Sequence, residues 1–221
     1  MSADRSGRLV RGFVLHARPY RENSRILELV AQDAGRVAVL ARGRTGSLRP
    51  FVLLELAWRG RGELPSLSVG EEQRVFPLTG RALVCALYLN ELILKLFPRT
   101  ARIGDVVTIL ETAYAGLLAP GRPDTVLRAA EWSLLGFVDS GLEHVADAGL
   151  VPDAYYRYRP DAGLSEPVAP ETPAAVSGAT LLALARGDSV PEAAQRGARD
   201  FMRRLIDEHL DGRKLQTRRL L

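Results

Sequence analysis

The chain has 221 residues, 47% of them hydrophobic, and a folded chain of this length buries roughly 70% of its unfolded surface, so it needs no covalent staples. Its single cysteine, Cys85, excludes an internal disulfide framework and leaves too few thiolates for a cysteine-based zinc site. No run approaches the about 20 apolar residues of a membrane span, and the start MSADRSGR lacks a signal peptide's apolar core; a soluble, cytoplasmic protein is expected.

The formal net charge of +4 is unevenly distributed. Residues 1–62 hold 12 arginines against 5 acidic residues, a net of +7. Residues 63–200 carry a net of −6, and residues 201–221 a net of +3. Such asymmetry points to a polyanion contact at the amino end, with the carboxyl end as a second candidate. The only lysines are Lys95 and Lys214. A GC-rich genome accounts for arginine as the chosen cation but not for where the arginines stand.

The first 75 residues carry β signals. Short runs rich in apolar and β-branched residues at 8–16, 25–31, 36–42, 51–59 and 67–75 are separated by turn chemistry and predict five strands. The turn Gln32-Asp33-Ala34-Gly35 joins the second and third at hairpin distance, with Gly35 able to take positive φ. In the second run Arg25 and Glu28 fall on opposite faces, so the alternation is imperfect. Five short strands in this span imply a closed barrel, because closure removes exposed edges.

From residue 81 the period becomes helical, with Leu83, Leu87, Asn90, Leu94 and Phe97 on one stripe and Pro98 as the stop. Asp105 is the expected N-cap of a second helix reaching Leu118, and Asp124 of a third, TVLRAAEWSLLGFV. Residues 139–176, with Pro152, Pro160, Pro167, Pro170 and Pro173, are irregular, although Tyr155 to Arg159 can form a short strand. Ser177 caps a short helix over Leu181 and Leu184, and Ser189 with Glu192 forms the capping box of a last helix ending near Gly212. The fold class is therefore α+β: a five-stranded barrel over residues 1–80, then a helical domain over 81–221.

Signatures of catalysis are missing. There is no phosphate-binding G-x-x-x-x-G-K-[ST] loop, no G-x-S-x-G elbow, no H-E-x-x-H and no dinucleotide G-x-G-x-x-G. His16, His144 and His209 lie in separate segments without displayed metal partners, and Cys85 sits in the apolar pattern of the first helix. Tyr155, Tyr156 and Tyr158 with Arg157 and Arg159 fit either a stacking platform or an edge strand packed on helices. A non-enzymatic protein without metal or cofactor is expected.

An OB barrel, the five-stranded nucleic-acid-binding type, takes oligonucleotides on the face of strands 2 and 3 between the loops joining strands 1 to 2 and 4 to 5. Here the first of those loops, ARPYRENSR, sets Arg18, Arg21 and Arg25 around Tyr20. The last, WRGRGEL, holds Arg59 and Arg61; the stretch ARGRTGSLRP adds Arg42, Arg44 and Arg49, and Arg36 opens the third strand. Guanidinium groups pair with phosphates and stack on bases, and Tyr20 offers a further base platform.

The strings GFVLHARPYRENSRILELVAQDAGRVAVLARG, RPFVLLELAWRGRGELPSL, LYLNELILKL and HLDGRKLQTRRLL together resemble the RecO recombination mediators of bacteria, especially proteobacterial members. The resemblance runs from about residue 10 to 220 and is weakest between 139 and 176. It implies an amino-terminal OB domain and a helical carboxyl domain that bind single- and double-stranded DNA and anneal complementary strands. It also implies action with RecR to load RecA onto DNA coated by the single-stranded-DNA-binding protein SSB, in the bacterial cytoplasm at the nucleoid.

Members recognise the acidic, apolar carboxyl tail of SSB. By the match of DTVLRAAEWSLLG, Arg128 is the candidate for the tail carboxylate, with Leu127, Trp132 and Leu135 as pocket linings and Arg196, Arg199 and Arg203 as added charge. A four-cysteine zinc module carried by many members has no counterpart here, and the loop between strands 3 and 4 is shorter and less basic than in many. Two other readings fit the same residues: an adaptor that binds the SSB tail but no DNA, and an RNA-binding OB protein.

Overall fold

A computed structural model describes residues 8–43, 48–60, 62–99, 101 and 103–221. The chain divides into two compact units, one comprising Met1–Gly121 with Thr217–Leu221 and the other Arg122–Gln216.

The first unit is built on strands β1 (Val10–Tyr20), β2 (Ser24–Ala31), β3 (Gly35–Arg42), β4 (Val52–Arg59) and β5 (Ser66–Val75), closed into a barrel in the order β1-β2-β3-β5-β4. Every pairing is antiparallel except β3 with β5, which meet through Leu40 and Ser66. The interior is filled by Val14, Leu27, Leu29, Val39, Val52, Leu54 and Leu56, side chains at most 0% exposed. Gly12 lets β1 cross this closely, since a Cβ there would lie 2.5 Å from the carbonyl oxygen of Val30. The expected Gly35 turn is present, with Gly35 at φ 70° and Ala31 paired to Gly35.

The β1–β2 connection is tighter than expected. Residues 17–20 continue β1 and Ser24 and Arg25 already belong to β2, so only residues 21–23 turn the chain. The reason is the pairing of Tyr20 with Ser24 and Pro19 with Arg25, which Arg21 permits by adopting φ 53°.

Two helices follow in the same unit, α1 (Gly80–Leu96) and α2 (Val106–Leu118). The buried face of α1 comprises Cys85, Ala86, Tyr88, Leu89, Asn90, Leu92, Ile93 and Leu96, while Leu87 is exposed. The predicted stripe through Leu83, Leu87 and Leu94 is thus rotated from the real one; α1 is apolar around most of its circumference, and spacing alone does not select a face. Asp105 precedes α2 as expected but makes no side-chain cap.

A buried polar chain ties these elements together. The Tyr114 hydroxyl of α2 donates to Asn90 Oδ1, and Asn90 Nδ2 donates 3.2 Å to the Leu15 carbonyl of β1. The Tyr114 ring stands edge-on to Phe13 and Phe51, with centroids 5.2 and 5.5 Å away. Full burial raises the Tyr114 hydroxyl above the usual phenol range, partly offset by its bond to Asn90, so the group is a permanent donor. The chain re-enters this unit at its end, where Thr217 donates to Glu91 of α1 from its backbone N at 2.9 Å and its hydroxyl at 2.6 Å.

The second unit holds α3 (Pro123–Leu135), a 3₁₀ turn (Ser140–Asp147), the two-residue strands β6 (Tyr155–Tyr156), β7 (Tyr158–Arg159), β8 (Gly163–Leu164) and β9 (Val176–Ser177), then α4 (Gly178–Arg186) and α5 (Gln195–His209). The helix α3 begins before Asp124, because Pro123 at the first position needs no N–H partner and supplies a helical φ. It also stops at Leu135 rather than Val138. Ser177 caps α4 as predicted, accepting from the Thr180 backbone N–H. The Ser189 and Glu192 capping box does not form: a 3₁₀ turn, Glu192–Ala194, intervenes before α5, and the Glu192 carboxylate pairs with Arg122 at 2.7 Å. The helix α5 ends at His209, short of Gly212. Tyr156 and Tyr158 are buried, so these rings belong to the packing of the unit.

Replacing Tyr114 with phenylalanine leaves Asn90 Oδ1 without its donor in a dry site. A loss of about 1–3 kcal/mol is expected, measured by urea denaturation with the slope unchanged.

Candidate nucleic-acid interface

The barrel register gathers the arginines at one end. Tyr20 pairs with Ser24, and Ser24 with Arg42, so these three side chains share a face across β1, β2 and β3. Arg18 lies two residues before Tyr20 on the same face. The Arg21 guanidinium carbon stands 5.3 Å from the centre of the Tyr20 ring, a cation–π contact made by an exposed residue. Arg25 is half-buried on the other face, opposite Pro19 and Ala41. A second row, Leu40 with Ser66 and Ser66 with Arg59, brings Arg59 beside this end. Arg18, Arg21, Arg42 and Arg59 are exposed, and none of these four or Arg25 has an acidic partner among the described residues.

Other arginines are differently placed. Arg49 faces Glu72 at 3.6 Å. Arg44 and Arg61 lie outside the described residues. Arg36 is turned inward: its guanidinium donates to the Leu94 carbonyl at 2.8 Å and the Phe97 carbonyl at 2.5 Å, at the end of α1, and pairs with Glu28 at 3.3 Å. Arg99 closes the cluster from outside by bonding both Glu28 oxygens. Burial alone would raise the Glu28 carboxyl; the Arg99 and Arg36 guanidiniums overcome that and hold it below the usual carboxylate range.

This cluster closes much of the outer surface of β2 and β3. Ile26, Glu28, Val30 and Ala38 are 4%, 7%, 0% and 3% exposed, so the surface an OB barrel ordinarily offers to oligonucleotides is filled by protein. What stays open is the arginine-bearing end around the β1–β2 turn.

In the second unit Arg128 is buried, with its side chain 8% exposed and its Nε 2.6 Å from Glu131 Oε2. Its Nη2 donates to the other Glu131 oxygen at 2.6 Å, giving a two-point ion pair. Leu127, Trp132 and Leu135 are 2%, 8% and 0% exposed, side chains of the interior rather than of an open wall. On α5 the charge is outward: the Arg196 side chain is 88% exposed and Arg199 44%, each 3.9 Å from Asp200, and Arg203 is half-buried. Among the described residues no three His, Cys, Asp or Glu side chains are grouped to hold a metal ion, and no helix is long and apolar enough to cross a membrane.

Strand order and closure define an OB-fold protein whose barrel is followed in the chain by a helical region. A family profile described as the N terminal of recombination protein O matches residues 9–76, the barrel. The DNA repair protein RecO of Pseudomonas aeruginosa is 40% identical over 216 residues, covering 94% of this chain and 92% of the relative. That of Halorhodospira halophila is 38% identical, covering 94% of each chain, and that of Stutzerimonas stutzeri 41% identical, covering 94% and 91%. The chain belongs to the RecO family of DNA repair proteins.

Sequence reasoning did not find the Glu28, Arg36 and Arg99 cluster, although a lone acid inside RILELVA was its signal. Two measurements check the buried charges. Glu28→Gln is expected to cost about 1–3 kcal/mol at neutral pH. Because the folded carboxyl is depressed, its stabilisation is present above the unfolded value of about 4.3 and lost as pH falls through the folded one. The wild type should therefore converge on the variant in acid denaturation below that value. Arg128→Met is expected to cost about 3–5 kcal/mol by stranding Glu131, and Glu131→Leu added to it to restore most of the loss in thermal unfolding.

Proposed function

We propose that this protein is a non-catalytic recombination mediator that holds the DNA backbone at the arginine-bearing end of its barrel. The observation that carries the reading is the set Arg18, Arg21, Arg42 and Arg59 at the barrel end that bears Tyr20, with Arg25 on the other face, cations without acidic partners among the described residues. Phosphates supply the missing counter-charge, and Tyr20 supplies a face on which a base can stack. Such contacts carry no base information, so binding is independent of sequence and accepts single and double strands. Neutralising two backbones lets complementary strands approach, which is annealing.

Membership of the RecO family supports the remaining roles: cooperation with RecR, loading of RecA onto SSB-coated single strands, and recognition of the acidic SSB tail by the helical region. For the tail, the exposed Arg196 and Arg199 are the accessible cations, with Arg203 beside them; Arg128 would act after exchanging Glu131 for the incoming carboxylate.

Fluorescence anisotropy of a labelled single strand across a salt series tests the reading. Five or six phosphate contacts give a slope of log K against log salt of roughly −4, at about −0.7 per contact. The triple variant Arg18→Ala, Arg21→Ala and Arg42→Ala should reduce the slope by about 2. Full affinity of that variant at low salt would sink the barrel-end site, and SSB-tail binding without any DNA binding would replace the mediator by an adaptor.

A further inference from the structure

At the barrel end that bears the β1–β2 turn, the inner face of the barrel does not close on apolar side chains alone. Leu27 and Leu29 of β2 fill the interior, and Arg25, two residues before Leu27, stands on the same side of the strand. It lies opposite Pro19 of β1 and Ala41 of β3. The strands β3 and β5 run parallel at Leu40 and Ser66, so one residue further on Ala41 and Leu67 are neighbours, and Leu67 pairs with Trp58 of β4. Leu67 and Trp58 pack against the barrel core and are both half-buried. Arg25, Ala41, Leu67 and Trp58 thus form one row across the mouth of the barrel, from β2 round to β4.

Two groups in this row are only partly used by the fold. Arg25 is half-buried, yet it makes no hydrogen bond or ion pair with any described residue. A guanidinium withdrawn from water costs free energy unless it is paired, and its cross-strand neighbours Pro19 and Ala41 have no side-chain acceptor to offer. Trp58 rests on the core but keeps part of its indole open. The mouths of β-barrels are frequent ligand sites. A phosphate or a carboxylate would satisfy Arg25 and leave the indole unused. A nucleobase meets both, with a flat face for the indole and ring and carbonyl acceptors for the guanidinium.

We propose that the barrel mouth is a subsite for one unpaired nucleobase, with Trp58 as its stacking surface and Arg25 as its polar partner, and that this subsite distinguishes a single strand from a duplex. The inference rests on the barrel-end reading of DNA binding and deepens it. Arg18, Arg21, Arg42 and Arg59 meet a backbone that both forms of DNA possess. Arg25 and Trp58 meet a base only where it is free to leave the stack. Bases in a duplex are paired and stacked inward, and extruding one opposes binding. The duplex is therefore held by the outer cations, and the single strand by the outer cations and the mouth together.

Trp58 is its own reporter, because the chain has one other tryptophan, Trp132, which is buried in the second unit. The experiment records tryptophan emission of the full-length protein with an unlabelled single strand, a blunt duplex and a single strand of abasic sugars, each at a concentration that anisotropy of its labelled form shows to be saturating. The single strand is expected to quench the emission, and the duplex and the abasic strand to bind without quenching. Trp58→Phe, which keeps an aromatic ring on the core, assigns the signal. Arg25→Met is expected to weaken single-strand binding about tenfold and to leave duplex affinity within about twofold. Full binding of the single strand without quenching, or equal quenching by the duplex or the abasic strand, overturns the mouth subsite while leaving the barrel-end reading in place. No anisotropy change with any of the three overturns both. The quenching comparison needs only the wild type, so a variant that fails to fold does not protect the inference.

Discussion

The first unit depends on β2 being buried on both faces. Leu27 and Leu29 point into the barrel, while Ile26, Glu28 and Val30 point outward and are also covered. A strand in that position cannot be solvated on either side, so its buried carboxylate, Glu28, must be matched inside the protein. Arg36 and Arg99 do this from β3 and from the segment after α1, and Arg36 also takes two carbonyls at the end of α1. Through Arg36 and Arg99 one carboxylate thereby ties the end of α1 to β2 and β3.

The same constraint sorts the arginines into two populations. Arg36, at the start of β3 where it meets the end of α1, is structural; Arg18, Arg21, Arg42 and Arg59, at the barrel end by the β1–β2 turn, are exposed. A basic amino end is therefore not one continuous surface. Unequal use of one residue type within 30 positions shows why net charge locates a region but does not assign a role to a residue.

The barrel was legible because its turns carry local chemistry: Gly35 returns at positive φ, and the five apolar runs match the strands to within a few residues. The end of α1 and the start of α4 were legible, as Pro98 and Ser177 foretold, but the bounds of α3 and α5 were not, nor was the orientation of α1, which is apolar on most of its circumference. The ion pairs were not legible. Glu28 meets Arg99 across 71 positions and Asn90 meets Leu15 across 75, and no local pattern encodes a partner that only the tertiary fold supplies. Arg128, expected to receive an incoming carboxylate, is instead buried with its Nε 2.6 Å from Glu131, a pairing whose burial the local sequence does not show.

The return of Thr217 to Glu91 makes the second unit an insertion within the first. Chains are synthesised from the amino end at about 5–20 residues per second. The barrel and its two helices therefore leave the ribosome well before their final piece exists, and Glu91, paired with Lys95 at 3.0 Å on its own helix, meets Thr217 after the whole inserted unit has been translated. Completion of the oldest part of the molecule is thus a late event in its biogenesis, and premature termination anywhere in the insertion would leave an amino-terminal body that has its strands but not its last contact.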